Sequence, residues 1–276
     1  MRLLAAAVFL LQGPPSLPER ADLRAGLDTL YSGAFATAAH HFADLAARDT
    51  TDPAPVIFHA AAYIWWAAAQ DSAAFEAGRI DSLLGVAIRL ARGGRVEGRE
   101  GGDGEPPTQD FWLATALGYR ARERVLHGHS WGAAKDAKAM RDAYRRVLAR
   151  DSACVDCYLG LGVYHYGLAR ASALARLVAK LIGLGSGDAE TGIRYMRRAA
   201  QGGGLAGVEA TWVLAAALVR EADRDRAGRD VLRRESRRYV VSLAERYPDN
   251  PVFRRFLAEV PEPPAPPPPP SPSPAP

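Results

Sequence analysis

The sequence predicts an all-α protein of antiparallel helix pairs stacked one on the next, with one inserted helix and a disordered proline-rich tail. Three observations carry this. Apolar and small residues recur at intervals of three and four through most of the chain, and no run alternates with the period of two that a strand requires. Breakers fall at regular places: Gly33, TTDPAP at 50–55, Gly93-Gly94, Gly128, Asp151-Ser152, GLGSGD at 183–188, GGG at 202–204 and YPDNP at 247–251. They cut the chain into segments of helical length. The ending PEPPAPPPPPSPSPAP, 261–276, has almost no large apolar side chain to bury, and its prolines lack backbone donors, so it predicts an extended, unfolded tail.

The elements follow in order. MRLLAAAVFLLQGPPSLPER opens with Arg2, is apolar from Leu3 to Leu11, and is broken by Pro14-Pro15. A charged start, a short apolar core and a breaker predict a signal peptide over 1–18, since a spanning helix needs about 20 apolar residues. Gly13 would stand at the −1 position of cleavage, with Leu11 large for −3; a buried N-terminal helix is the alternative. Helical repeats are expected over 19–92, with helices near 20–31, 35–48, 56–70 and 72–92. The stretch 93–108, dense in glycine and charge, predicts a flexible loop between two lobes. A second set of repeats, 109–260, holds helices near 109–127, 133–150, 153–168, 189–201, 205–222 and 227–246, and a short closing helix from 251. The additional helix, 170–182, is inserted within a pair. ASALARLVAKLIGLG, 171–185, is too short to span a membrane and carries Arg176 and Lys180. It predicts a cap on the array, ahead of a helix docking on a membrane-associated partner. The localisation expected is export, to the periplasm or cell envelope.

Several pairs share a template. CYLGLGVYHYG places Tyr158, Leu161, Gly162 and His165 at the offsets where the tetratricopeptide repeat has its Trp, Leu, Gly and Tyr. KAMRDAYRRVLARDS puts Met140, Tyr144 and Val147 at the Ala, Phe and Ala positions of the second helix, with Ser152 where the proline would be. Gly192, Met196 and Ala199 repeat those positions. Near the start Gly33, Ala38 and Phe42 correspond, and LAERYPDNP is similar to the terminal proline turn. Over 20–258 the chain resembles tetratricopeptide-repeat (TPR) proteins of the divergent, exported bacterial type, although no single unit carries the full pattern.

The resemblance implies a right-handed TPR-like solenoid, elongated and bent, whose first helices line a concave face. It implies a non-enzymatic scaffold that captures a protein or peptide on that face. The partner-binding candidates are Tyr119, Arg120, Tyr164 and His165, chosen for their place on first helices. Small residues such as Gly162 and Ala38 belong where two helices touch, with Tyr158 and Phe42 filling the gaps beside them. Trp65 and Trp66, with Phe58 and Tyr63, wrap most of one helix and predict enclosure on several sides. Trp112, Trp131 and Trp212 read as packing between repeats, with an aromatic ligand box as the rarer alternative for each.

Composition narrows the chemistry. Hydrophobic residues make up 48% of the 276 and charged residues 24%, as in an ordinary globular chain. The formal charge of +4 is small and spread out. The richest basic stretch, 220–239, is interleaved with Glu221, Asp223, Asp225, Asp230 and Glu235, the pattern of a solvated helix face, so no nucleic-acid partner is expected. Membrane contact is expected only through the signal peptide or an envelope partner.

Cys154 and Cys157 have the CxxC spacing, but no second CxxC or HxxxH completes a zinc site, Tyr158 replaces the histidine of a haem motif, and no strand leads in. Three readings remain, in order: small structural residues, a local disulfide, and redox chemistry. The alternative function is accordingly a thiol/disulfide or metal-binding protein centred on this pair, helped by His127 and His129 of HGHS. A solvated turn is the first reading of that HxH. At most one of His40 and His41 faces the core beside Phe42, and His59 and His165 read as packed histidines. GxSxG and Walker patterns are absent, and GLGSGD has neither a preceding strand nor a following GK[ST]. No enzyme, metal or cofactor is expected.

Overall fold

The computed structural model describes residues 20–93, 107–181 and 183–260. The predicted signal peptide, nearly all of the 93–108 loop and the 261–276 tail lie outside them. Among the described residues all regular structure is helical, in twelve helices. These are α1 (Ala21–Tyr31), α2 (Phe35–Arg48), α3 (Pro53–Ala69), α4 (Ala77–Arg92), α5 (Pro107–Leu126) and α6 (Ser130–Arg150). The series continues with α7 (Cys157–Ala169), α8 (Ala173–Leu181), α9 (Ala189–Gln201), α10 (Gly207–Ala222), α11 (Arg229–Arg246) and α12 (Pro251–Glu259).

Local chemistry sets the boundaries. The Ala54 N–H donates to Asp52 Oδ1 at 2.9 Å, and Pro53 follows as the first helical residue. Proline is tolerated there because its missing donor would have no intrahelical partner. So α3 starts three residues earlier than the TTDPAP breaker suggests. Asn250 and Pro251 begin α12 in the same way, with Val252 N–H on Asn250 Oδ1 at 2.9 Å. Asp188 caps α9 through Thr191 N–H at 2.7 Å. In contrast, α4 begins late: Asp71 and Glu76 have positive φ (52° and 53°), and the turn they build takes up the start of the expected 72–92 helix. The start of α7 is also delayed, to Cys157, because Asp151 Oδ1 takes the Ala153 N–H and holds 151–156 as a turn.

Apart from α8, consecutive helices pack on one another, and α1, α3, α5 and α7 also touch in succession. Between α7 and α9, which pair directly, α8 is inserted and leans on α6. The α7–α9 crossing is close because of glycine. A Cβ at Gly162 would lie 2.9 Å from the Gly192 carbonyl oxygen, and one at Gly192 would lie 2.8 Å from that of Gly162. As expected, α3 is enclosed: Ala54 through Phe58 and Ala60 through Trp65 are all buried. Trp131 departs from expectation, being 53% exposed at the start of α6 rather than packed between repeats.

The array does not run out as an elongated superhelix. It curls until its end meets its beginning, where α12 packs on α3. Tyr247 donates to Asp28 Oδ1 at 2.9 Å, and Asn250 Nδ2 donates to the Tyr31 carbonyl at 2.9 Å. Trp65 of α3 meets both Trp212 of α10, at 5.4 Å, and Phe253 of α12, at 5.5 Å. One core therefore runs from Leu23 to Phe253, shared by the segments on either side of 94–106.

Candidate binding cavity

A cavity of about 300 Å³, open to solvent beside Arg122 and Val163, is bounded by α1, α3, α5, α6, α7 and α10. Its wall is mainly apolar. Phe58 and Trp112 meet edge to face at 6.0 Å, Phe111 touches Trp112 at 4.7 Å and Tyr144 at 6.0 Å, and Tyr31, Trp212, Met140 and Val213 complete much of the surface. Such edge-to-face packing fixes ring positions and so the cavity's shape. Gly160 makes room on α7, where a Cβ would fall 2.2 Å from Tyr144 Cε2.

A few polar groups interrupt this wall. Tyr119 and Glu209 are half-buried and border the cavity. The Tyr119 hydroxyl donates to Glu209 Oε2, joining α5 to α10. Burial, the dominant influence, pushes the Glu209 carboxyl above its ordinary range; the Tyr119 hydrogen bond and the charge of Arg122 oppose it. The Tyr119 phenol is driven well above its usual value, first by burial and next by Glu209. Asp156 is likewise pushed up by burial, against the two backbone hydrogen bonds it accepts from Leu205 and Ala206, each at 3.0 Å. Those bonds tie the start of α7 to the start of α10, and they need Gly204: a Cβ there would lie 2.0 Å from Asp156 Oδ1. The Trp212 indole Nε1 is buried with no acceptor among the described residues. Arg122 also borders the cavity, 42% exposed and ion-paired with Glu123.

The four partner-binding candidates do not share a surface. Tyr119 is in the cavity wall. Arg120 points to α6 instead, where it holds buried Asp136 through two bonds at 2.8 and 2.7 Å, with Arg124 on the same carboxylate at 2.6 Å. Tyr164 is buried at the α8–α9 connection, donating to the Leu184 carbonyl and accepting from Arg141 Nη1 at 3.0 Å. His165 packs against Tyr164 and Tyr195 at 5.6 and 5.8 Å, its Nδ1 buried with no hydrogen-bond partner among the described residues. Its pKa is lowered, chiefly by burial. Arg120 is thus committed to the α5–α6 contact and Tyr164 to the segment between α8 and α9.

Cys154 and Cys157 are joined as a disulfide, with Cα atoms 5.5 Å apart, rather than standing as separate small residues. Cys154 belongs to the turn before α7, not to its first turn. Among the described residues no group of three or more His, Cys, Asp or Glu side chains is placed to hold a metal ion. The HxH of 127–129 lies at the α5–α6 turn, with His127 Nε2 4.0 Å from Glu123. His40 is exposed, and His41 Nε2 is bonded to the Asp22 carbonyl at 3.0 Å.

The cavity itself went unread in the sequence, and with it Asp156, Arg122 and Glu209. A signal existed for the last. Glu209, Trp212 and Val213 are spaced by three and four, so an acid shares the helix face of two large apolar residues. A carboxylate on such a face needs a partner or a purpose. No protein-family model, curated protein or solved structure matches the chain significantly.

Proposed function

We propose that the chain is a non-enzymatic binding protein of TPR-like helix pairs, exported to the cell envelope, that holds a small, mainly apolar ligand inside its closed array. The observation that carries this is the cavity. It combines about 300 Å³ of space with aromatic walls and a few fixed polar groups, the usual make-up of a small-molecule site. The TPR-like part of the reading is supported by the template positions. Gly162 and Gly192 allow the α7–α9 contact, and Ala38, Phe42, Val147, Met196 and Ala199 are all fully buried. Binding rather than turnover is supported by the cavity's acids, since Asp156 is committed to two backbone donors and Glu209 to Tyr119.

The neutral apolar dye N-phenyl-1-naphthylamine tests the site. It should gain fluorescence on the purified protein with one site per chain, and Val213→Trp, which fills the cavity, should abolish the gain while leaving the helical circular dichroism unchanged. Equal dye binding by the two proteins would remove the cavity from the function.

A second reading, a protein or peptide partner, is favoured by one surface feature. Val125 (64%), Leu126 (51%) and Trp131 (53%) stand exposed together around the α5–α6 turn, with the Lys135 ammonium 5.3 Å from the Trp131 ring centre. Scattered exposed apolar residues are ordinary, but three at one turn form a contact-sized patch. Cross-linking of the exported protein in cells, comparing wild type with Val125→Asp/Trp131→Ala, checks it: an adduct retained in the double variant removes this surface.

A further inference from the structure

We propose that the cavity's ligand is an organic cation, an amine or quaternary ammonium group carried on an apolar body. This rests on the inner-cavity reading above and names the chemistry of the site.

The first support is the unbalanced charge of the lining. Glu209 Oε2 accepts from Tyr119, while Oε1 has no donor among the described residues, so the carboxyl keeps hydrogen-bonding capacity on the side that faces the cavity. Asp156 adds a second acid to the same wall. The cation that borders the space, Arg122, is ion-paired with Glu123 at the rim. Arg122 acts on Glu209 and Arg24 on Asp156, yet burial still displaces both carboxyls upward, so the positive charge nearby does not offset the cost of burying them. A ligand that brings a positive charge removes that cost. A ligand bearing a carboxylate or phosphate adds to it.

The second support is the ring surface. Aromatic faces carry partial negative charge, and a desolvated cation beside them is attracted electrostatically. Tyr31, Phe58, Trp112, Tyr144 and Trp212 line the same cavity as the acids, so a ligand whose ammonium group is held by Glu209 has aromatic wall for its apolar body.

Other features of the molecule carry less. His165 Nδ1 has no hydrogen-bond partner among the described residues, but its crevice has no second group that selects a ligand. The Val125–Leu126–Trp131 patch has nothing that says what covers it.

The test uses three probes matched in size and sharing an ether oxygen: 3-phenoxypropylamine, 3-phenoxypropanol and 3-phenoxypropionate. Each is titrated against N-phenyl-1-naphthylamine bound to the full exported chain. The amine should bind about tenfold or more tighter than the alcohol, the gain expected of a charge-assisted hydrogen bond in a buried site, and the acid should be the weakest of the three. In Glu209→Gln the amine's advantage should shrink to near parity while alcohol binding is unchanged, because the amide still accepts from Tyr119. A pH series on the unaltered protein gives a reading independent of any variant's folding. Around the pair Glu209 and Asp156 stand Arg24 and Tyr31 on α1, Tyr119 and Arg122 on α5, and Tyr144 on α6. Of these Asp156 and Glu209 are carboxyls, so mild acid should protonate them and erase the amine's advantage. Alcohol binding as tight as amine binding, or an advantage untouched by both acid and Glu209→Gln, overturns the cation proposal and leaves the cavity reading standing. A dye that never binds in the cavity overturns the cavity reading itself.

Discussion

Glu209 is a residue whose cost to the fold can be read from its surroundings. Its carboxyl is held above the ordinary range by burial, so between the unfolded and folded values the native state binds more protons than the unfolded chain. Its contribution is therefore fully present at acid pH, below the unfolded value, and is lost as pH rises through the folded one. Replacing it by glutamine should stabilise the unliganded protein at neutral pH, with the difference vanishing in acid. Urea unfolding of both proteins at the two pH values checks this, and a gain of equal size in acid would contradict it. Gly162 makes the opposite case. A Cβ there would lie 2.7 Å from Met196 Cγ and 2.9 Å from both the Gly192 oxygen and the Met196 nitrogen, and backbone cannot give way as a side chain can. Gly162→Ala should cost about 1–3 kcal/mol of stability in thermal or urea unfolding. The two residues also differ in legibility. Gly162 stood out because it recurs at a template offset that reports a local helix crossing. Glu209 is explained by Tyr119, 90 residues away, and no local pattern contains that distance.

At the scale of the element, the helices were readable because their signals are local. The three- and four-residue periods, the Asp-Pro and Asn-Pro starts and the glycine breaks each act within a turn or two. The misplaced starts have equally local causes: Pro53 inside the first turn of α3, the positive-φ turn before α4, and the 151–156 turn before α7. The inserted helix α8 was legible as a surplus in the pairing pattern, and α7 does pair with α9 around it. The disulfide lies in the turn that delays α7. It closes a loop of very few residues, so it removes little freedom from the unfolded chain and stabilises less than a long-range crosslink would. Reduction, or Cys154→Ser/Cys157→Ser, should lower stability by about 2 kcal/mol and leave helix content by circular dichroism near its original value. Loss of most of the helical signal would show that the turn, and not α7 alone, organises this part of the array.

For the whole molecule, the decisive feature is closure, and it was the least legible. Helical periodicity specifies that pairs stack, but small rotations between successive pairs set the curvature, and whether the end meets the beginning is their accumulated result. The contacts that seal the array show the separation involved: Asn250 reaches Tyr31, and Tyr247 reaches Asp28, each across 219 residues. Tyr119, expected on a groove, is part of a cavity wall. If the cavity exists because α12 holds the array shut, weakening that helix should damage binding from outside the site. Phe253 is the residue to remove. It is fully buried, packs against Trp65 and Tyr247 at 5.5 and 6.1 Å, and does not border the cavity. Phe253→Ala should cost about 3–5 kcal/mol of stability through the lost burial and the void left behind. In conditions where the variant remains folded it should also bind N-phenyl-1-naphthylamine more weakly, because the α3–α10 contact through Trp65 and Trp212 loses its backing. Val125→Ala, an exposed truncation at the far turn, should do neither. Dye affinity unchanged in folded Phe253→Ala would mean that the cavity is framed by α1 to α10 alone, and that closure contributes stability without shaping the site.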